Sequence, residues 1–436
     1  MLACALWIGA CVIERGAGSD RPTSFRVSLV DGDPGSDDDR LSFSEVGTTF
    51  VFDVQAIGTG GSPMDWDGFV RAGVEPGRLV SVSGVAGASV SVTGGRAEDV
   101  EVGVALAYGE VHVWFEDVGY EPQPPGTAAC EDGVDQDGDG RFDFPDDPGC
   151  FASNDESEED ARGGAGVSEP LWFANPTVAD VQGGSSRSPL DGASITVDVG
   201  DLVVTRVAVD GLYVTDLDET GGYGHLFLFN FSTPPFVRVC DRLSRMDGIV
   251  GEFFGYTELS FPSWETLEWD ESEPCPVPDP TEIDAVRLAS APGMESLEAG
   301  LVRVSDVVVA DVTNCDLDGS GSVDFEGEED ACRTACDADV LCMEETQLRR
   351  FGQTAVSLEG GTGPKIFVVP EGTVPAFDPW TAQGDRLASV TGTLRHVEFL
   401  EPPWLVEPRC PDDLVVDGAP VAEACVSRRT EEKDDP

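Results

Sequence analysis

Residues 240–250 read CDRLSRMDGIV, and residues 384–394 read GDRLASVTGTL. Asp-Arg-Leu and a glycine recur in register, so two copies of one unit stand in tandem. Apolar spacing around each copy lays out five strands. In the first copy these are Ser194–Val209, Gly211–Asp216, His225–Asn230, Arg242–Phe253 and Tyr256–Phe261. In the second they are Leu301–Val312, Ala355–Glu359, Lys365–Val369, Arg386–Val397 and Trp404–Glu407. Five strands with a long, curved first strand suit a small closed barrel of OB type.

Outward from the repeat, the chain divides by composition. Residues 25–120 alternate apolar and polar residues in short runs broken by Gly and Asp, as in Phe50-Val51-Phe52-Asp53-Val54 and Val111-His112-Val113-Trp114-Phe115. Period-two alternation of this kind predicts a sandwich of about seven antiparallel strands. Residues 121–169 turn Pro-rich, then Asp-rich, then Glu-, Ser- and Gly-rich, which reads as a linker carrying one ordered loop. The expected order is a signal-type segment (1–12), a tether (13–24), the sandwich (25–120), the linker (121–169), a first barrel (170–275), a second barrel (276–420) with an insertion at 313–350, and an acidic tail (421–436). The fold class is all-β.

With 83 Asp and Glu against 26 Lys and Arg, the formal charge is -57. Such a surface repels nucleic acid, because phosphate binding needs clustered cations. The acidity serves either general solvation or the collection of divalent cations. Twelve cysteines beside three histidines argue for disulfides and an oxidising compartment. By proximity Cys130 pairs with Cys150, Cys240 with Cys275, and Cys410 with Cys425. Cys315, Cys332, Cys336 and Cys342 form a cluster for two more bonds of open connectivity.

Two loops carry a metal-binding pattern. In ACEDGVDQDGDGRFDFPDDPGC (129–150), counting from Asp135, carboxylates fall at positions one, three, five, nine and twelve: Asp135, Asp137, Asp139, Asp143 and Asp146. Gly140 holds the sharp turn, and Arg141 offers its backbone carbonyl. That spacing wraps a hard cation in oxygen ligands, and calcium is the expected ion. Asp146 stands where an EF-hand has a glutamate, and Pro145, Pro148 and Gly149 exclude a following helix. The second loop, NCDLDGSGSVDFEGEEDAC (314–332), places Asp316, Asp318, Ser320, Ser322 and Asp324 at positions one, three, five, seven and nine. Position twelve is Gly327, so Glu326 or Glu328 supplies the last ligand; a disulfide-only knot is the competing reading.

Several stretches resemble known families. Ile8-Gly9-Ala10-Cys11 resembles a bacterial lipoprotein signal, which implies acylation of Cys11 and, with Val12 following, outer-membrane delivery. GFVRAGVEPG and GEVHVWFEDVGY look like segments of bacterial immunoglobulin-like domains. The first acidic loop is similar to thrombospondin type 3 calcium loops. VADVQGGSSRSPLDG, GLYVTDL, GEFFGYTELSF and VEPRCPDDL resemble OB-fold regions attached to bacterial extracellular nucleases and surface proteins. Those regions accompany a separate catalytic domain, and no segment of this chain has room for one.

His112, His225 and His396 are isolated in strand-like segments and read as strand-surface residues rather than general bases. No nucleophile elbow, paired-histidine motif or phosphate loop occurs in the sequence. Tyr213, Phe227 and Phe229 are either stacking residues on a barrel face or barrel core. The sequence therefore points to a monomeric, non-enzymatic, calcium-binding surface or extracellular lipoprotein whose partner is a protein, a glycan or an envelope component. The alternatives are a DNA-binding accessory factor beside a separate nuclease, or an undetected hydrolase.

Overall fold

The computed structural model describes residues 21–58, 61–85, 89–118, 129–131, 133–134, 165–310, 354–370, 373–377, 382, 384–398, 400, 403–418 and 425–426. Strand accounts for 49% and helix for 8% of it, so the all-β expectation holds. The chain forms two compact units, Met1–Ala174 and Asn175–Pro436.

The first unit contains β1 (Ser24–Asp31), β2 (Thr48–Gly58), β3 (Ser62–Pro63), β4 (Gly68–Glu75), β5 (Arg78–Val82), β6 (Val90–Val92), β7 (Arg96–Ala105), β8 (Gly109–Asp117), β9 (Ala165–Val167) and β10 (Leu171–Phe173). One sheet runs β1-β2-β7-β5 with β3 on β2; the other runs β10-β8-β4-β6 with β9 on β8. The alternation read from the sequence is the burial pattern: Phe50, Phe52, Val54 and Ala56 point inward from β2, and Val100, Val102 and Val104 from β7. Val111, Val113 and Phe115 of β8 close the core from the opposite sheet. Each valine and phenylalanine among them contributes roughly 1.5–3 kcal/mol by leaving water.

Two boundaries differ from the sequence reading. Ala165–Val167, expected in the linker, pairs with Trp114–Glu116, and Leu171–Phe173, expected to open the first barrel, pairs with Gly109–Val111. These short strands line one edge of β8 and complete the sandwich. Three-residue strands carry too few alternations to announce themselves.

The second unit contains two barrels. In the first are β11 (Ser194–Val197), β12 (Leu202–Val207), β13 (Gly211–Asp216), β14 (His225–Phe229), β15 (Arg242–Phe253) and β16 (Tyr256–Leu267). Strands β12-β13-β14-β16-β15 close on β12, with β14 and β16 parallel and every other pair antiparallel. That order, first-second-third-fifth-fourth, is the closed OB type. The expected single strand Ser194–Val209 is instead two strands, because Gly200 takes φ +93° and the chain turns there.

The second barrel contains β17 (Thr281–Glu282), β18 (Leu301–Val309), β19 (Thr354–Ser357), β20 (Lys365–Val368), β21 (Arg386–His396), β22 (Trp404–Glu407) and β23 (Leu414–Val415). Strands β18-β19-β20-β22-β21 close on β18, again with one parallel pair, β20 with β22. The repeat forms the fourth strand of each barrel. Its apolar positions are buried alike: Leu243 and Leu387, Met246 and Val390, Val250 and Leu394. Its glycine is required by close approach to the fifth strand, since a Cβ on Gly248 would meet the Ser260 carbonyl at 2.9 Å and one on Gly392 the Glu407 carbonyl at 2.3 Å.

Among the described residues four short helices occur, α1 (Val178–Gln182), α2 (Ala285–Leu288), α3 (Ala291–Glu295) and α4 (Leu358–Gly361). Disulfides join Cys240 to Cys275 and Cys410 to Cys425, as proximity suggested. Cys130 is also disulfide-bonded. Among the described residues no helix is long and apolar enough to cross a membrane.

Candidate functional site

The two barrels meet through polar side chains. Arg206 of β12 donates from Nη1 to Glu407 Oε2 at 2.7 Å and to Thr393 Oγ1 at 2.5 Å. Tyr213 of β13 donates its hydroxyl to the same Glu407 oxygen at 3.0 Å. Arg395 lies 3.5 Å from the other oxygen of Glu407 and covers the Tyr256 ring at 5.2 Å. The Arg206 guanidinium covers the Tyr213 ring at 5.1 Å. Burial opposes ionisation of Glu407, but Arg206 and Arg395 override it and hold the carboxyl below its usual range. This cluster is one carboxylate among two arginines, with its lone pairs taken.

Tyr213, Phe227 and Tyr256 form a buried aromatic group with Ala299, so the first two are core rather than an open stacking face. Phe229 is only half-buried. Its ring lies 4.4 Å from Phe231, which lies 5.2 Å from Phe261. Phe231 and Phe261 are 61% and 70% exposed, which makes a ridge of aromatic surface on the first barrel.

A second polar cluster stands where the β15–β16 turn docks on the second barrel. The turn residue Gly255 has φ +78°, and a Cβ there would lie 2.9 Å from His396 Nδ1. Without that Cβ, the Gly255 carbonyl accepts a hydrogen bond from His396 Nδ1 at 2.7 Å. The Phe254 carbonyl accepts from the Glu398 amide beside it. The His396 ring stacks on Trp404 with centroids 4.5 Å apart.

Helix α3 brings the carboxylates. Ser290 caps it by accepting from the Gly293 amide, and Met294 and Leu297 anchor the segment in the core of the second barrel. The following turn pairs with β21 through Ala299–Leu394 and Leu394–Gly300 backbone bonds. Glu295 and Glu298 thereby reach His396: one ligand atom from each of the three lies within 4.8 Å of the others. Glu298 is 2% exposed; one oxygen accepts from the Thr257 amide at 3.0 Å, while Oε2 has no partner. Glu252 of β15 accepts from the Ser188 amide and the Thr257 hydroxyl through Oε1, and its Oε2 also lacks a partner.

Burial pushes the Glu295 carboxyl up to about 7, with Glu252 adding repulsion. Burial raises Glu298 well above the carboxylate range against the Thr257 hydrogen bond, and Glu295 and Glu252 push the same way. The nearby His225 is lowered to about 4 by burial. Its Nδ1 meets Thr215 Oγ1 at 2.9 Å, and Gly300 leaves room for its ring.

The sequence-derived metal ligands Asp135, Asp137, Asp139, Arg141, Asp143, Asp146, Asp316, Asp318, Ser320, Ser322, Asp324 and Glu328 lie outside the described residues. So do Cys11, Cys150, Cys315, Cys332, Cys336 and Cys342. His112, read as a strand-surface residue, is partly buried and sits 3.0 Å from the Ser168 carbonyl. His225 and His396 are drawn further into packed surroundings than isolated strand positions suggest. The only trace of the second cluster in the sequence is the Glu295/Glu298 pair three residues apart. A further group, Cys410, Asp413 and Cys425, has ligand spacing, but its sulfurs are joined in a disulfide and Arg409 takes the Asp413 carboxylate.

No known protein family matches the chain, and no curated protein is significantly similar to it.

Proposed function

We propose that this chain is a calcium-binding protein of the bacterial envelope or exterior, of binding or structural type and without catalytic activity. The observation that carries the reading is the inter-barrel seam. The aromatic face that OB barrels commonly offer to single-stranded nucleic acid is here occupied by the second barrel, through Glu407 and Arg395. Two barrels so joined act as one stiff arm. The exposed Phe229–Phe231–Phe261 ridge supplies an apolar contact for a protein or glycan partner.

Calcium enters from the carboxylate spacing in 135–146 and 316–328. An ion in each loop neutralises crowded carboxylates and protects the segment from proteases. An N-terminal lipid on Cys11 completes the reading as a surface lipoprotein. The disulfides at Cys240–Cys275 and Cys410–Cys425 fit an oxidising location.

Calorimetric titration of the full chain tests this. The expected result is saturable calcium uptake, together with loss of protease resistance in the acidic loops on chelation. Absence of calcium binding, or firm DNA binding at moderate salt, overturns it. Mass analysis of the native chain for an acylated Cys11 tests the anchor.

A further inference from the structure

We propose that Glu295, Glu298 and His396, with Glu252 beside them, bind one divalent transition-metal ion of the zinc class and so clamp the two barrels together. This is independent of the calcium loops.

The three side chains already converge, with ligand atoms inside 4.8 Å of one another. Small adjustments of the glutamate side chains close that spacing onto an ion with bonds of about 2.0–2.2 Å. Glu298 is 2% exposed and directs a carboxylate into the cluster with one oxygen unpartnered; Glu252 adds a second unpartnered oxygen. Among the described residues no arginine or lysine pairs with Glu252, Glu295 or Glu298. A buried carboxylate oxygen that meets neither a cation nor a donor either holds a proton or holds a metal.

The histidine decides which. A carbonyl only accepts, so the bond to Gly255 makes His396 Nδ1 the donor, and in the neutral ring the lone pair is then on Nε2. Metal-bound histidines are set in this way, with the far nitrogen tied to a backbone carbonyl and the ring fixed. Stacking on Trp404 fixes it further. Imidazole nitrogen beside carboxylate oxygens suits zinc or its neighbours better than calcium, which takes oxygen alone. The ligands come from different places. Glu252, and the Gly255 carbonyl that orients the histidine without binding the ion, belong to the first barrel, Glu295 and Glu298 to the segment preceding β18, and His396 to the end of β21. An ion there ties all three.

The test uses the full chain, stripped with EDTA and dialysed into excess calcium so that oxygen-only sites are filled. Zinc is then titrated by calorimetry and cobalt(II) by visible absorption. The expected result is one zinc equivalent per chain, cobalt bands of a four-coordinate nitrogen–oxygen site, and a rise in Tm on loading. Glu298→Gln and His396→Gln each weaken uptake about 100-fold while calcium uptake is unchanged. Glu295→Gln, at a half-buried position, serves where Glu298→Gln fails to fold. Anomalous scattering at the zinc edge, from crystals of the loaded wild-type chain, places the ion without any substitution. The proposal is overturned if the wild-type chain takes up no zinc at micromolar concentration, if the variants keep wild-type affinity, or if the ion lies elsewhere. Failure of the calcium reading appears separately, as no heat on adding calcium before zinc.

Discussion

Two polar clusters lie along the seam between the barrels, and they solve burial in opposite ways. Around Glu407, one carboxylate meets two guanidiniums and a phenol, and the Thr393 hydroxyl accepts from one of those guanidiniums, so charge and hydrogen bonds close within the protein. Around Glu298, two carboxylates and an imidazole converge, a third carboxylate, Glu252, lies close enough to repel them, and two of the carboxylate oxygens are unpartnered. The first arrangement needs nothing from outside. The second is costly as it stands, since like charges in a poorly solvated place raise one another's pKa. A closed network is architecture, whereas an open one asks for a proton or an ion.

The sharpest way to break this contrast is to open the closed cluster. Glu407→Leu leaves Arg206 and Arg395 buried without their shared anion. The expected cost is about 3–5 kcal/mol, read as faster native-state hydrogen exchange in Arg242–Phe253 and Leu301–Val309. A change below about 1 kcal/mol shows the arginines reaching water, and the seam is then not a closed network.

The open cluster is probed by pH in metal-free protein. Glu295 has its folded pKa raised to about 7 from 4.5. Its contribution is therefore fully present below the unfolded pKa and is lost as pH rises through 7. Wild type should lose about 2 kcal/mol relative to Glu295→Gln between pH 5 and 8, after discounting for partial exposure. Chemical denaturation at each pH reads this difference. A flat difference means that Glu295 is as well solvated as a surface residue. His225, which belongs to neither cluster, should slope the other way. Its folded pKa is lowered to about 4, so stability is lost as pH falls from 6.5 towards 4. His225→Gln removes about 2 kcal/mol of that slope.

Much of this architecture was legible before the fold was seen, and for a physical reason. Strands Gly211–Asp216, Arg242–Phe253 and Trp404–Glu407 match their expected limits, because short runs rich in apolar and β-branched residues, bounded by Asp, Gly and Pro, mark where a strand can start and stop. The repeat was legible because the same close approach fixes Gly248 and Gly392. The candidate site was almost illegible. Gly255 and His396 are 141 residues apart, and no local period reports a contact made by docking one barrel's turn on another barrel. His396 in sequence is an ordinary histidine ending an apolar run. Only the fold brings its ring to two carboxylates.

The smallest predicted effects separate the two phenols of the seam. Tyr213 and Tyr256 are both buried, yet only the first has a closed hydrogen bond, to Glu407; the hydroxyl of Tyr256 turns towards that of Tyr213 without a partner at full hydrogen-bond geometry. Tyr213→Phe should cost about 1 kcal/mol, because a charged acceptor loses a donor but keeps two arginines. Tyr256→Phe should change stability by less than about 0.5 kcal/mol or stabilise slightly, since it removes a desolvated hydroxyl that gains nothing in return. Denaturant melts of the two variants beside wild type decide it. Equal costs would mean that the phenols share the anion, and Tyr256 then belongs to the closed cluster. A cost confined to Tyr213 draws the edge of that cluster at Glu407, leaving Tyr256 held by packing against Phe227 and by the Arg395 face alone.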